Sequence, residues 1–330
     1  MKPKISFVVP WMLSLSFLFG MIALPSCHYQ GSDNKISKGD TLHGKISISG
    51  AFALYPLVVR WAEEFHKLHP GVTINVSAGG AGKGMADALT KMVDLGMFSK
   101  SVSPEEQAKG AWWVAVARDA VLPTINAANP VLTELKTKGL TRQKLHDIFI
   151  TAKIRSWGEA VGNSSPTELQ AFTRSDACGA ADMWARYLRG GNQEDLQGLG
   201  VNGDPGVADA VRKNVEGIGY NNLGFVYDMK TRKIYPGLDV IPIDLNENGL
   251  IDSEENFYTS LDEVMKAIND GIYPSPPARE LFLVSGGKPT EKLVKIFLRW
   301  VLSDGQQFVT EAGYVKIPSE KALAEALKLE

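Results

Sequence analysis

The chain has 330 residues, 44% of them hydrophobic and 22% charged, with a formal net charge of −2. This length exceeds one typical core and suits two domains. The balance lacks the clustered basic excess that a phosphate backbone demands, so nucleic acid is not an expected partner.

Lys2 and Lys4 precede an apolar run from Ile5 to Leu24, interrupted by Pro10 and Gly20. This is the layout of a secretory signal. The run ends in Leu24-Pro25-Ser26-Cys27. An apolar residue three before a cysteine and a small one just before it form the pattern of a bacterial lipoprotein signal, with Pro25 unusual between them. Residues 1–26 are therefore expected to be removed, and Cys27 to carry a lipid that holds the protein at a membrane on its extracytoplasmic side. An uncleaved anchor is the rival reading. Residues 27–44 are polar and suit a flexible tether. Cys178 is the one other cysteine, so a lipidated Cys27 leaves it without an intrachain disulfide.

Lys45–Ser49 alternates as a strand, and Leu57, Trp61, Phe65 and Leu68 share one helical face. Pro70-Gly71 ends that helix and Val72–Val76 alternates again. A glycine loop, Gly79 to Gly84, leads into a helix reaching about Met92, and Val93–Met97 reads as a third strand. The order βαβαβ indicates a parallel α/β sheet. Val114–Ile125 is a long apolar β run suited to crossing between lobes. Leu132–Ser156 reads as mostly helical, ended by Trp157-Gly158. Glu168–Arg174 suits a strand, Asp182–Leu188 a helix, Asn202–Lys213 another helix, and Gly217–Tyr227 strand and turn. Asp262–Ile268 is helical, Tyr273 to Pro277 breaks regular structure, Leu281–Val284 is a short return strand, and Leu293–Val301 is a final amphipathic helix. The expected architecture is two α/β lobes, residues 45–122 with 281–330 and residues 123–280. Each has a parallel or mixed sheet with flanking helices, and a two-strand hinge joins them.

Several segments, in this order, resemble the phosphate-binding proteins of ABC importers, a type II periplasmic-binding-protein-like family. Gly50-Ala51-Phe52-Ala53-Leu54-Tyr55-Pro56 resembles the family's first ligand loop, and the glycine loop stands at the second. Val93-Asp94-Leu95-Gly96-Met97-Phe98-Ser99 resembles the third. Arg174-Ser175-Asp176-Ala177-Cys178-Gly179-Ala180 resembles the family's Arg-Ser-Asp-Gly-Ser-Gly-Thr stretch, and Gly313-Tyr314-Val315 with Pro318 its C-terminal signature. The resemblance implies a monomeric binding protein whose cleft closes on phosphate or a related oxyanion for delivery to a membrane permease. It implies a site drawn from Ala51, Phe52, Ala53, Gly80, Ala81, Gly82, Ser99, Arg174, Asp176, Cys178, Gly179 and Ala180. Helix N-termini supply unpaired amides, the Arg174 guanidinium grips two oxygens at once, and Asp176 orients it. The departures share a direction: Ala51, Ala53, Ala81 and Ala180 stand where the family usually has hydroxyls, and Phe98 where a small polar residue is common. A hydrogen bond to a charged group contributes about 1.5–3 kcal/mol. Losing several weakens phosphate binding and leaves a changed ligand open.

A separate motif spans residues 244–255. Asp244, Asn246, Asn248, Asp252 and Glu255 occupy positions one, three, five, nine and twelve of a calcium loop, with Gly249 at six and Ile251 at eight. The Leu250 carbonyl is the expected seventh-position ligand. A β-like run, Val240–Ile243, precedes it, which points to a single structural Ca²⁺ clamp. A polar surface turn is the plainer alternative.

Other constellations fit poorly. The glycine loop has Ser77 where a nucleotide loop needs its first glycine, and Gly84 follows Lys83 where that loop needs Ser or Thr. Cys178 before a helix start raises a thiol enzyme as a conceivable class, but no paired base can be named. His66 and His69 lie three apart without further ligands nearby in sequence, and Trp112-Trp113 reads as core or interface. The leading expectation is a binding protein and not an enzyme. A sensor or adhesion role on the same fold is the second class, and an enzyme using Cys178 the third.

Overall fold

The computed structural model describes residues 42–330. The expected signal segment, the lipidation residue Cys27 and nearly all of the tether lie outside the described residues. Eleven strands are described. They are β1 (His43–Gly50), β2 (Gly71–Ala78), β3 (Leu95–Phe98), β4 (Ala111–Asn126), β5 (Leu140–Thr141), β6 (Gln170–Arg174), β7 (Leu199–Val201), β8 (Gly217–Asn222), β9 (Leu238–Val240), β10 (Ile243–Asp244) and β11 (Ala278–Gly286). Nine form one mixed sheet in the order β2-β1-β3-β11-β4-β8-β6-β7, with β9 also paired to β4. The α/β class is as the sequence indicates.

The sheet is continuous because β4 is 16 residues long. Its first half pairs antiparallel with β11, from Ala111↔Gly286 to Ala120↔Ala278. Its second half pairs with β8 from Val121 to Ile125. On one side of this crossing β1 runs parallel to β2 and β3. On the other, β6 runs parallel to β7 and β8. The two halves carry separate hydrophobic cores. The first gathers Ile46, Leu57, Trp61, Phe65, Met97 and Phe297. The second gathers Phe149, Trp157, Trp184, Tyr220, Tyr258 and Tyr273. Apolar side chains on both faces of central strands are what a helix-covered parallel sheet requires. Among the described residues no helix is long and apolar enough to cross a membrane.

The first helix runs Tyr55–Leu68 with Pro56 in its opening turn, where a missing N–H costs nothing. The helix after the glycine loop is Ala81–Leu89, shorter than expected. One stretch departs further from the sequence reading. Leu132–Ser156 is not one helix but two, Leu132–Lys138 and Arg142–Phe149. Gly139, at φ +64°, breaks them, and an added Cβ there would meet Ile251 and the Pro242 carbonyl. Trp157 does not end a helix but begins one, Trp157–Val161, because Ser156 and Glu159 form a capping box. Three helices outside the expected set are Pro104–Ala108, Leu223–Val226 and Ser319–Leu327.

Candidate functional site

The site lies where loops from the two cores meet beside the β4–β11 crossing. On the first core's side, β1 ends at Gly50, the next helix starts at Ala81, and β3 ends at Phe98. These segments sit very close. A Cβ on Gly50 would fall 2.4 Å from the Met97 carbonyl and 2.7 Å from the Gly84 Cα. The glycines therefore let the loop ends pack backbone to backbone. The amides of Gly79 and Gly80 both donate to the Gly50 carbonyl, at 2.9 and 3.1 Å. Ala51, Ala53 and Ala81 are buried in this core, and the Ala53 carbonyl accepts the Tyr314 hydroxyl at 2.7 Å.

On the second core's side, β6 delivers Arg174. Its Nε donates to Asp176 Oδ1 at 2.8 Å and its Nη2 to Asp176 Oδ2 at 2.5 Å. Its Nη1 donates to Asp204 Oδ2 at 2.5 Å. Asp204 sits in the first turn of the helix Gly203–Lys213. Three of the five guanidinium N–H groups are thus committed to carboxylates. The Arg174 side chain is 1% exposed, with the Phe52 ring 5.6 Å from its guanidinium carbon. Burial opposes the charge, but Asp204 and Asp176 hold the guanidinium well above its ordinary pKa. Asp176, although half-buried, is held below the usual carboxylate range by Arg174 and the Gly203 amide. Asp176 therefore holds the Arg174 guanidinium by two hydrogen bonds. Asp204, which the sequence reading missed, adds a second charged partner.

The two sides touch. Gly82 donates its amide to the Ala177 carbonyl at 3.2 Å, and a Cβ on Gly80 would fall 2.9 Å from Asp176 Oδ2. Gly179 packs against Ser99 so closely that a Cβ would fall 2.1 Å from the Ser99 carbonyl. Ser99 is buried. Cys178 caps the helix Gly179–Tyr187, its Sγ accepting the Ala181 amide at 3.4 Å. The Gln193 side chain braces this turn, taking the Cys178 amide at 2.9 Å and donating to the Asp176 carbonyl at 3.2 Å. The amides of Gly179 and Ala180, the first of that helix, have no hydrogen-bond partner among the described residues. Such amides form a ready anion site. Burial pushes the Cys178 thiol up to about 12, against a smaller pull from Arg174. A protonated, buried thiol is a poor nucleophile.

The polar cluster continues into the crossing strands. Asn222, at the end of β8, donates Nδ2 to Asp204 Oδ1 at 2.5 Å and accepts Arg279 Nη2. Arg279 on β11 also donates Nε to the Ser99 carbonyl at 2.9 Å. Its register partner on β4 is Asp119. Sequence reasoning missed Asp119, Asp204, Asn222 and Arg279. The one visible signal was a carboxylate, Asp119, within the apolar run Val114–Ile125.

The segment 244–255 lies away from these loops. It leaves β10, which pairs with β5. Asp244 accepts the amides of Asn248 and Gly249 at 3.2 and 2.8 Å, and Gly249 takes φ +86°. Glu255 accepts the amides of Leu245, Asn246 and Asp252. Asp252 accepts the side-chain amides of Asn246 and Asn248, both at 2.8 Å. Asp244 and Glu255 are buried, and Leu250 is exposed. Among the described residues no three of His, Cys, Asp and Glu converge as a metal-holding group. His66 instead donates Nδ1–H to the Val72 carbonyl at 2.7 Å.

Comparisons with known proteins agree with this architecture. The chain is 27% identical over 318 residues to the phosphate-binding protein PstS of Pseudomonas aeruginosa, covering 87% of this chain and 88% of that one. It is 24% identical over 294 residues to PstS of Staphylococcus haemolyticus, covering 87% and 85%. The fold matches that of a candidate phosphate ABC transporter substrate-binding protein from Clostridium perfringens, crystallised with bound phosphate. The TM-score is 0.69 at 21% identity, covering 83% of this chain and all of that one. The PBP superfamily domain matches residues 36–305, and the chain belongs to that family.

Proposed function

We propose that this protein is an extracytoplasmic binding protein. It captures phosphate or a related oxyanion between its two cores, as a monomer, and presents it to the membrane permease of an ABC importer. The observation that carries this reading is the pair of free helix-start amides, Gly179 and Ala180, beside a guanidinium that Asp176 and Asp204 keep charged. Fixed donors of this kind bind an anion without reorganising. The names of the curated relatives support phosphate as the first ligand to try. Cys178 as a nucleophile is disfavoured, because its thiol is buried and caps a helix. Isothermal titration of the mature protein, stripped of phosphate, tests the reading with phosphate, sulfate, arsenate and molybdate. Saturable binding of an oxyanion, lost in Arg174→Ala, is expected. Heatless titrations with all four would overturn it.

Residues 244–255 are proposed to hold one structural Ca²⁺ through Asp244, Asn246, Asn248, the Leu250 carbonyl, Asp252 and Glu255. The spacing supports this, as do the sharp turn at Gly249 and the two buried carboxylates that begin and end the loop. Calcium should raise the melting temperature over a chelated sample, and Glu255→Gln should remove the rise. Identical melting curves with and without calcium would remove the metal from the proposal. Anchoring to the bilayer through lipid on Cys27 is part of the same reading. Cys27→Ala should release the protein from the membrane fraction.

A further inference from the structure

One end of the first core gathers cations that nothing in the fold engages. It is the end away from the candidate site, where β1 begins at His43 beside Gly71, the first residue of β2. The helix Lys292–Leu302 starts here and turns Val294, Phe297, Leu298 and Val301 into the core. Its opposite stripe carries Lys292, Lys295 and Arg299, whose spacing puts them on one face. A Cβ on Gly44 would fall 2.9 Å from Leu293 Cδ2, so this helix packs on the start of β1. Lys91 and Lys288 border one depression of about 320 Å³ at the same end, together with Asp94 and Glu291. Lys45 shares the face of β1 with Ser47, whose hydroxyl already holds Asp94 at 2.7 Å. Among the described residues none of the six cations has an ion pair or a side-chain hydrogen bond.

Large apolar side chains are exposed at this end too. Leu68 closes the first helix and is 60% exposed, and Met92, next to Lys91, is 75% exposed. Free cations set among exposed Leu and Met have the chemistry of a membrane-facing surface, charge for anionic headgroups and carbon for the acyl boundary. The course of the chain points the same way. Leu42 leads into β1 at this end, and the fourteen residues 28–41 separate it from Cys27, a span of at most about 50 Å. A lipid on Cys27 therefore keeps this end within reach of the headgroups.

We propose that this end of the first core is a second membrane contact. The six cations lie against an anionic bilayer surface, with Leu68 and Met92 at the acyl boundary. This inference rests on the proposed lipid anchor, which supplies the proximity, and names the surface that orients the protein on the bilayer. β1 rises about 23 Å from His43 to Gly50, so the contact holds the candidate site roughly that far above the headgroups. Without the lipid such a contact is weak and reversible, so Cys27→Ala protein still washes off native membranes.

The test is co-sedimentation of mature Cys27→Ala protein with vesicles of phosphatidylglycerol or of phosphatidylcholine. Binding should appear on phosphatidylglycerol alone and vanish at about 1 M salt, where the Debye length falls to about 3 Å. Adding Lys288→Glu, Lys292→Glu and Lys295→Glu together should weaken it at least about 100-fold, because each cation near an anionic surface contributes about fivefold. The control carries Lys153→Glu, Lys230→Glu and Lys233→Glu, the same charge change at exposed lysines on the second core's side. It should lose less than about tenfold. All six positions are on the surface, and melting curves of both variants confirm that they fold. A second readout holds the protein by an N-terminal hexahistidine tag on vesicles containing a nickel-chelating lipid. Amide exchange over residues 287–296 should slow on anionic vesicles and not on neutral ones. Absence of binding to phosphatidylglycerol, equal losses in the two triple variants, or unslowed amides would overturn this inference and leave the Cys27 anchor standing. Cys27→Ala protein that stays on native membranes through a high-salt wash would overturn the anchor instead.

Discussion

Replacing Gly179 by Ala would separate the two sides of the cleft without touching either core. The added Cβ would fall 2.1 Å from the Ser99 carbonyl oxygen and 2.4 Å from its hydroxyl oxygen, where ordinary contact begins at 3.4 Å. The two segments must part by the difference, 3.4 less 2.1, or about 1.3 Å. Ser99 cannot simply turn aside, since Arg279 Nε holds its carbonyl at 2.9 Å. Overpacking a tight contact costs about 1–3 kcal/mol. The helix itself should tolerate the change, because Ala is the better helix former and Gly179 does not take a positive φ. The cost therefore falls on closure, and phosphate affinity should drop about 5- to 150-fold with circular dichroism unchanged. Calorimetry measures the affinity, and small-angle scattering with saturating phosphate measures closure. A variant that binds phosphate as tightly as the wild type, with the same scattering curve, would show that the Gly179–Ser99 approach is not needed for binding.

Three further expectations follow from the buried charges and the thiol. Asp204→Ala leaves Arg174 and Asn222 each short of a partner. It should cost about 3–5 kcal/mol of unfolding free energy in urea, and a loss under about 1 kcal/mol would mean the pair contributes little. Burial lifts the Asp119 carboxyl from 3.8 to about 6, against the opposing charge of Arg279. A raised acid binds its proton more tightly when folded, so its contribution is present below about pH 4 and is lost as pH rises through about 6. The wild type should therefore lose stability over that window relative to Asp119→Asn, and parallel pH curves would contradict the assignment. Cys178, with a thiol pKa pushed up to about 12, should react with a thiol reagent in native Cys27→Ala protein at pH 8. Its rate should be about a thousandfold below that of a free cysteine. Rapid labelling of the folded protein would restore the nucleophile reading.

The sequence alone determined the fold class and the order of the loops that build the candidate site. Both are written in short-range patterns: the two-residue alternation of Lys45–Ser49 and Val72–Val76, and the helical spacing of Leu57, Trp61 and Phe65. The glycines at 50, 80 and 84 stand where an added Cβ would run into backbone or a half-buried carboxylate. The Leu132–Ser156 error has a local cause. Apolar spacing continues through Gly139 and across Ser156, while the break depends on a left-handed glycine and a capping box that outweigh propensity. The Arg174 loop was legible as a motif, but its charge partners were not. Asp119, Asp204, Asn222 and Arg279 come from four separate segments. Tertiary structure decided the site there, because β4 and β11 cross between the cores in one fixed register. That register buries Arg279 beside Asp119 and within reach of Ser99 and Asn222, contacts that no spacing along the chain can show.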